Sequence, residues 1–172
     1  MDFQKISADD GNAIKTLSAV AIEIIKEHYD PIIGPAMNDY MIQMFQSVPA
    51  VTQQLQTGCQ YYFVKKNGAI LGFLAYYPRE ESLYLSKFYL YKHQRGNGYS
   101  RQMLDFLIQI AKDDGLKAIE LNVNRNNPAV QVYQKLGFTV IREEDNAIGN
   151  GFVMRDYVLR LDTAETGFTA YS

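Results

Sequence analysis

The chain contains no tryptophan and a single cysteine, Cys59. A lone thiol forms no internal disulfide, and with no metal-ligand spacing around it the pattern suits a reducing compartment. As a nucleophile Cys59 is a weaker reading than as a half-buried bystander. Charge of one sign is also lacking: 17 Lys and Arg stand against 19 Asp and Glu, a formal net charge of -2. No basic field exists for nucleic acid or for an anionic lipid surface, so any bound anion must be held by local geometry. No apolar run approaches the ~20 residues of a membrane span. The opening Met1-Asp2-Phe3-Gln4-Lys5 lacks the apolar stretch of a secretory signal. The expectation is a cytoplasmic protein with neither nucleic acid nor membrane as partner.

What the chain does have is rings and a core. Thirteen tyrosines and nine phenylalanines lie in 172 residues that are 47% hydrophobic, enough for one domain and too few for a second full one. Residues 1–161 are expected to form that domain and 162–172, which carry no apolar period, a loose tail. Ile14, Leu17, Ala21, Ile24 and Ile25 recur at helical spacing, as do Met37, Tyr40, Met41, Met44 and Phe45. Between these helices the two prolines of Tyr29-Asp30-Pro31-Ile32-Ile33-Gly34-Pro35 predict a packed loop.

The β-rich runs Tyr61 to Lys65 and Ile70 to Tyr76 flank Asn67-Gly68, the pair suited to a type I′ hairpin turn. Leu83 to Tyr91 reads as a longer strand, too continuous in bulk for an edge. A helical stripe follows at Met103, Leu104, Leu107, Ile108 and Ala111, stopping at Asp114-Gly115. A strand at Ala118 to Val123 leads to Asn127-Pro128, an N-cap with a first-turn proline. The helix it opens shares the face Ala129, Val132, Tyr133 and Leu136. Strands at Phe138 to Arg142 and Phe152 to Leu161 complete a mixed α/β plan with helices covering a sheet.

One turn carries chemistry. Gln94-Arg95-Gly96-Asn97-Gly98-Tyr99-Ser100 joins a buried strand to an amphipathic helix, where unpaired N–H groups and the positive end of the helix dipole favour a phosphate. Glycine at 96 and 98 allows a tight bend and a close approach. A P-loop would continue Gly-Lys-Ser/Thr, whereas Tyr99 follows Gly98; a dinucleotide fingerprint would need a third glycine where Arg101 stands. A plain strand-to-helix turn is the remaining alternative.

Arg95-Gly96-Asn97-Gly98-Tyr99-Ser100 resembles the Arg/Gln-x-x-Gly-x-Gly/Ala signature of the GNAT acetyltransferase superfamily. Asn126-Asn127-Pro128-Ala129 through Tyr133-Gln134-Lys135-Leu136-Gly137-Phe138 is similar to its Asn-x-x-Ala…Tyr-x-Lys-x-Gly-Phe segment. The two together, in this order and separated by a helix and a strand, are far more specific than either alone. Ser100 departs from the usual Gly or Ala.

The resemblance implies an α/β (mixed α+β) fold with a central, mostly antiparallel sheet of six to seven strands, flanked by helices and splayed around the signature helix. It implies an acetyl-CoA-dependent N-acetyltransferase that takes acetyl-CoA as co-substrate and no metal. The coenzyme A pyrophosphate would rest on the backbone of Arg95, Gly96, Asn97, Gly98, Tyr99 and Ser100. Phe88 and Leu90 would pair with the pantetheine, with the Leu90 N–H as oxyanion donor and Asn126 or Asn127 on the other side. Tyr133 matches the tyrosine that protonates the leaving thiolate, and a phenol of ordinary pKa near ~10 is a credible acid; the plain alternative is a core ring.

Many relatives carry a Glu on the strand before the turn as base, but Leu85-Ser86-Lys87-Phe88 has no carboxylate. Glu120, His28 and Asp39 are weak candidates, and deprotonation through water is the default. The acceptor, a small-molecule or peptide amine, would enter over Tyr29, Ile33 and Tyr40, with Glu27, Asp30 and Asp39 attracting a cation. The segment Gly151 to Val158 also resembles the closing strand of bacterial polyamine-acetylating relatives. A homodimer is compatible with the resemblance. The rival readings are a non-catalytic acyl-CoA-binding domain of the same type and an unrelated nucleotide-binding module.

Overall fold

The computed structural model describes residues 1–164. The chain divides into two compact units: Met1–Tyr77 with Lys87–Ser100, and Pro78–Ser86 with the described residues from Arg101 onward. Strands β1 (Asp2–Lys5), β2 (Gln60–Lys66), β3 (Ala69–Arg79), β4 (Ser82–Leu90), β5 (Ala118–Asn124), β6 (Thr139–Gly149) and β7 (Phe152–Asp162) lie in one sheet in the order β1-β2-β3-β4-β5-β7-β6. The strand expected to avoid the edge, β4, is fourth of seven.

In the first unit, α1 (Gly11–Ile33) opens on Asp10, whose carboxylate accepts from the Ala13 N–H at 3.1 Å. Its buried residues Ile14, Leu17, Ala21, Ile24 and Ile25 form one stripe packed with Tyr61, Phe63, Phe73 and Ala75 of the β2–β3 hairpin. Leu17 is wholly buried, so its truncation to alanine should cost about 2–5 kcal/mol.

The segment from Tyr29 to Pro35 corrects the sequence expectation. It is helical up to Ile33: Pro31 is carried inside the last turn of α1, and Pro35 is the first residue of α2 (Pro35–Phe45), where its missing N–H costs nothing. Gly34 alone interrupts, at φ +87. The apolar stripe of α2 also differs, because its buried residues are Asn38 and Ile42 while Met44 is 44% exposed. Asn38 is buried because its amide donates to the Ile25 carbonyl at 3.2 Å and to Asp30 at 2.8 Å. A third helix, α3 (Val48–Gln56), is capped by Ser47.

The hairpin turn is as expected, with Asn67 at φ 52 and Gly68 at φ 79. The β2–β3 register then skips one residue, since Val64 faces Gly72 while Lys65 faces Ile70. Leu71 is the extra residue of a β-bulge. The next position, Gly72, is forced: an added Cβ there would lie 1.9 Å from the Tyr89 carbonyl oxygen and 2.8 Å from Leu90 Cα.

In the second unit, α4 (Tyr99–Asp113) buries Met103, Leu104, Leu107, Ile108 and Ala111. It ends in a Schellman cap, with Leu116 N–H donating to Ala111, Gly115 N–H donating to Lys112, and Gly115 at φ +71. Parallel pairing of β4 with β5 is confined to Ser82–Tyr84 against Ala118–Glu120. Helix α5 (Ala129–Lys135) contradicts the expected apolar face: none of its residues is buried, and Val132 is 47% exposed. Strand β6 continues seven residues past the expected Arg142, to Gly149. The added residues carry no strand signal because most of them are exposed, so no apolar alternation marks them. Of the expected tail, Thr163 is buried and bonded to Leu116 and Lys117, and 165–172 lie outside the described residues.

Candidate functional site

The turn that the sequence singles out is built in the first unit. A single 3₁₀ turn, Lys92–Gln94, carries the chain off β4, with Gln94 N–H donating to Tyr91 and Arg95 N–H to Lys92. Gly96 at φ +81 and Gly98 at φ +78 then bend the backbone into the first turn of α4, a conformation that favours glycine. A Cβ added at either position meets no atom within 4 Å, so packing does not explain these glycines. The space on their Cβ side is open, and they directly precede the orphan N–H groups of a 15-residue helix. That is a cradle fit for a phosphate.

Arg95 is exposed and donates to the Leu90 carbonyl at 3.4 Å, and Asn97 donates to Gln94 at 3.2 Å. Tyr99 and Ser100 are half-buried in the first turn of α4. One cation beside the turn went unread in the sequence: the Lys66 ammonium sits 5.3 Å from the Tyr99 ring centroid and 3.5 Å from its hydroxyl. It lies at the far end of β2, 33 positions away in sequence.

On β4, Phe88 is half-buried and Leu90 buried. The Tyr91 N–H donates to the Leu71 carbonyl at 2.9 Å, which fixes the strand's end against the bulge of β3. Tyr89 contacts Phe73 at 5.4 Å and Tyr29 of α1 edge-on at 6.3 Å. Burial pushes the Lys87 ammonium below the ordinary lysine range, with nearby Cys59 opposing. Of the acceptor residues, Tyr29, Ile33 and Tyr40 are all half-buried. Two of the three carboxylates meant to attract a cation are otherwise engaged, because Lys26 pairs with Asp30 at 3.4 Å and with Asp39 at 2.6 Å, while Glu27 is exposed.

In the second unit the end of β5 holds Asn126 and Asn127 differently. Asn127 is buried and its side-chain oxygen accepts from the Ala129 N–H at 2.9 Å, opening α5. Asn126 is exposed, its backbone N–H bonded to Asn124 Oδ1. Both line a cavity of about 570 Å³ together with Gln131, Gln134 and Tyr157. Tyr133 is half-buried, its ring edge-on to Phe138 at 5.7 Å.

A polar network that the sequence did not disclose crosses β5, β6 and β7. Tyr84 donates to Asn122 Oδ1 at 2.9 Å, and the Asn122 amide donates to Glu144 at 3.1 Å and to Asp156 Oδ2 at 3.3 Å. Asp156 is 2% exposed, and its Oδ1 has no hydrogen-bond partner among the described residues. Burial pushes the Asp156 carboxyl above its ordinary range, while hydrogen bonds from Asn122 and Arg142 hold Glu144 below its own. Glu120, offered as a base, instead pairs with Arg160 at 2.9 Å and accepts from Ser82.

The sequence of residues 23–138 matches the family model described as the acetyltransferase (GNAT) family. The chain belongs to that GNAT acetyltransferase family. Comparison with curated proteins found no match. Among solved structures, the PaiA N-acetyltransferase of Thermoplasma acidophilum, in complex with coenzyme A, superposes with TM-score 0.75 at 21% identity, over 94% of this chain and 98% of that one. The ribosomal-protein-S18-alanine N-acetyltransferase of Escherichia coli gives 0.65 at 16% identity, over 94% and 93%. A spermidine N-acetyltransferase chimera from Vibrio cholerae gives 0.64 at 15%, over 96% and 98%. This GNAT protein is an acetyl-CoA-dependent N-acetyltransferase, with acetyl-CoA as co-substrate.

Proposed function

We propose that this enzyme transfers the acetyl group of acetyl-CoA to a primary amine by direct attack, and that the acceptor is a small polyamine-like cation rather than a peptide or protein amine. The observation that carries the cofactor half is the head of α4: two left-handed glycines with open space on their Cβ side, just before a helix start. Arg95 to Ser100 hold the pyrophosphate there, and Lys66 adds a charged donor. Phe88 and Leu90 present main-chain groups to the pantetheine, with the Leu90 N–H stabilising the oxyanion. Asn126 takes the other side, since Asn127 already caps α5. Tyr133 supplies a proton to the departing sulfur; it sits on a helix with no buried residue, which favours the acid role over a core role. Tyr29, Ile33 and Tyr40 meet the acceptor.

The preference for a cation rests on two supports. The ring faces of Tyr29 and Tyr40 suit an ammonium, and one structural relative is named as a spermidine N-acetyltransferase. Turnover of acetyl-CoA, read as free thiol, with spermidine, an aminoglycoside, a lysine peptide and an alanine-terminated peptide tests it. Spermidine is expected to give the highest kcat/KM; a peptide at the head of that order would replace the polyamine reading.

A further inference from the structure

The reaction needs a group to take the proton from an acceptor that arrives as an ammonium, and the sequence offers none on β4. We propose that Asp156 takes that proton, held for the task by Asn122 and flanked by Glu144. The inference rests on the amine-acetylating reading above and names a catalytic group for it.

Position is the first argument. Asp156 lies on β7 directly opposite Asn124 of β5 and Glu144 of β6. The chain that leaves Asn124 runs straight into Asn126 and Asn127, the segment assigned to the cofactor. That segment is tied to β7 at this point: Arg125 N–H donates to the Arg155 carbonyl at 3.0 Å and Arg125 Nε to the Asp156 carbonyl at 3.2 Å.

The second argument is the carboxylate's own bonding. A buried carboxylate normally has its oxygens satisfied. Here Asn122 supplies one donor to Oδ2, while Oδ1 has no hydrogen-bond partner among the described residues. An unsatisfied buried acceptor is stabilised by an N–H donor or by a proton, and an ammonium brings both.

The charged groups around it come from every neighbouring element. Glu144 and Asp145 lie on β6 and Arg125 after β5; the Arg125 guanidinium is held by the Asp145 carboxylate and the Glu144 carbonyl. Desolvation, with the two carboxylates, outweighs the Asn122 hydrogen bond and the engaged Arg125, and the Asp156 carboxyl is pushed above the ordinary range. This is the direction that suits a general base near neutral pH.

The step balances. The acceptor R–NH₃⁺ gives one proton to the Asp156 carboxylate, leaving R–NH₂ and a neutral carboxylic acid. The nitrogen then bonds to the thioester carbon as the C–S bond breaks, Tyr133 protonates the sulfur, and the amide nitrogen's surplus proton returns to Tyr133. Asp156 releases its proton to solvent between turnovers.

The test is Asp156→Asn, which keeps the side chain's shape. At neutral pH, kcat/KM for the amine should fall about 10²- to 10⁴-fold, with the KM for acetyl-CoA unchanged. The defect should shrink as pH rises toward the amine's own pKa, where neutral amine is supplied by solution. Asp156→Glu should recover part of the rate. Asn122→Ala, which removes the donor that lowers the Asp156 pKa, should move the acid limb of the parent's pH profile to higher pH. A folded Asp156→Asn enzyme at the parent rate, or one with the same defect at every pH, overturns the assignment, as does an unmoved acid limb in Asn122→Ala. The parent assayed alongside separates this from failure of the wider reading. A parent active only on peptide amines overturns the polyamine acceptor, while the Asp156 result on those amines still stands or falls by itself.

Discussion

At the scale of the residue, two substitutions divide chemistry from packing. Tyr133→Phe keeps the ring against Phe138 and removes only the hydroxyl, so folding and coenzyme A binding should survive. Turnover is expected to fall at least tenfold, about 1.4 kcal/mol of barrier, with little change in the KM for acetyl-CoA. A well-folded variant at the parent rate would reduce Tyr133 to a packing residue. Gly98→Val acts differently. No protein atom lies within 4 Å of the added Cβ, yet the backbone sits at φ +78, so the variant is strained and also enters the space proposed for the phosphates. A sharp rise in the coenzyme A dissociation constant, measured by calorimetry on folded protein, is expected; unchanged affinity would remove the pyrophosphate from this turn. The glycines were legible in the sequence because the motif is local. Asp156 and Lys66 were not, because each gains its meaning from neighbours 33 or 34 positions away in sequence.

At the scale of the element, apolar periodicity is a faithful guide in α1 and α4 and a misleading one in α2 and α5. The stripes of α1 and α4 appear in the fold as the sequence sets them out, since a helix that buries one face must write that face every three to four residues. At the α1–α2 junction two prolines in five residues predict a loop, whereas one sits in the last turn of α1 and the other in the first turn of α2. Gly34 between them makes the corner at φ +87, ψ 147, a region close to glycine-only. Gly34→Ala is therefore expected to cost about 1–3 kcal/mol of stability, read as a lower denaturation midpoint with an unchanged slope. No loss would mean that the corner relaxes freely. The far half of strand β6 lacks a legible face because it buries none, and the face that the sequence shows on α5, Ala129, Val132, Tyr133 and Leu136, is not a buried one.

At the scale of the whole molecule, the raised Asp156 pKa links function to stability. A carboxyl whose folded pKa lies above its unfolded value contributes stability below the unfolded value, and that contribution is lost as pH rises through the folded pKa. Asp156→Asn should therefore melt higher than the parent at neutral pH, with the difference closing as pH falls below about 4. Equal melting curves at both pH values would contradict the burial cost. Glu144 runs the other way: its lowered pKa contributes stability above the ordinary carboxylate range and loses it on acidification. Strand β6 ends the sheet order with eleven mostly exposed residues, among them Arg142, Glu143, Glu144 and Asp145. Charges on a last strand keep copies from stacking edge to edge. In handling terms, concentrated stocks should stay clear near neutral pH and turn cloudy as buffer acidity silences those three carboxylates.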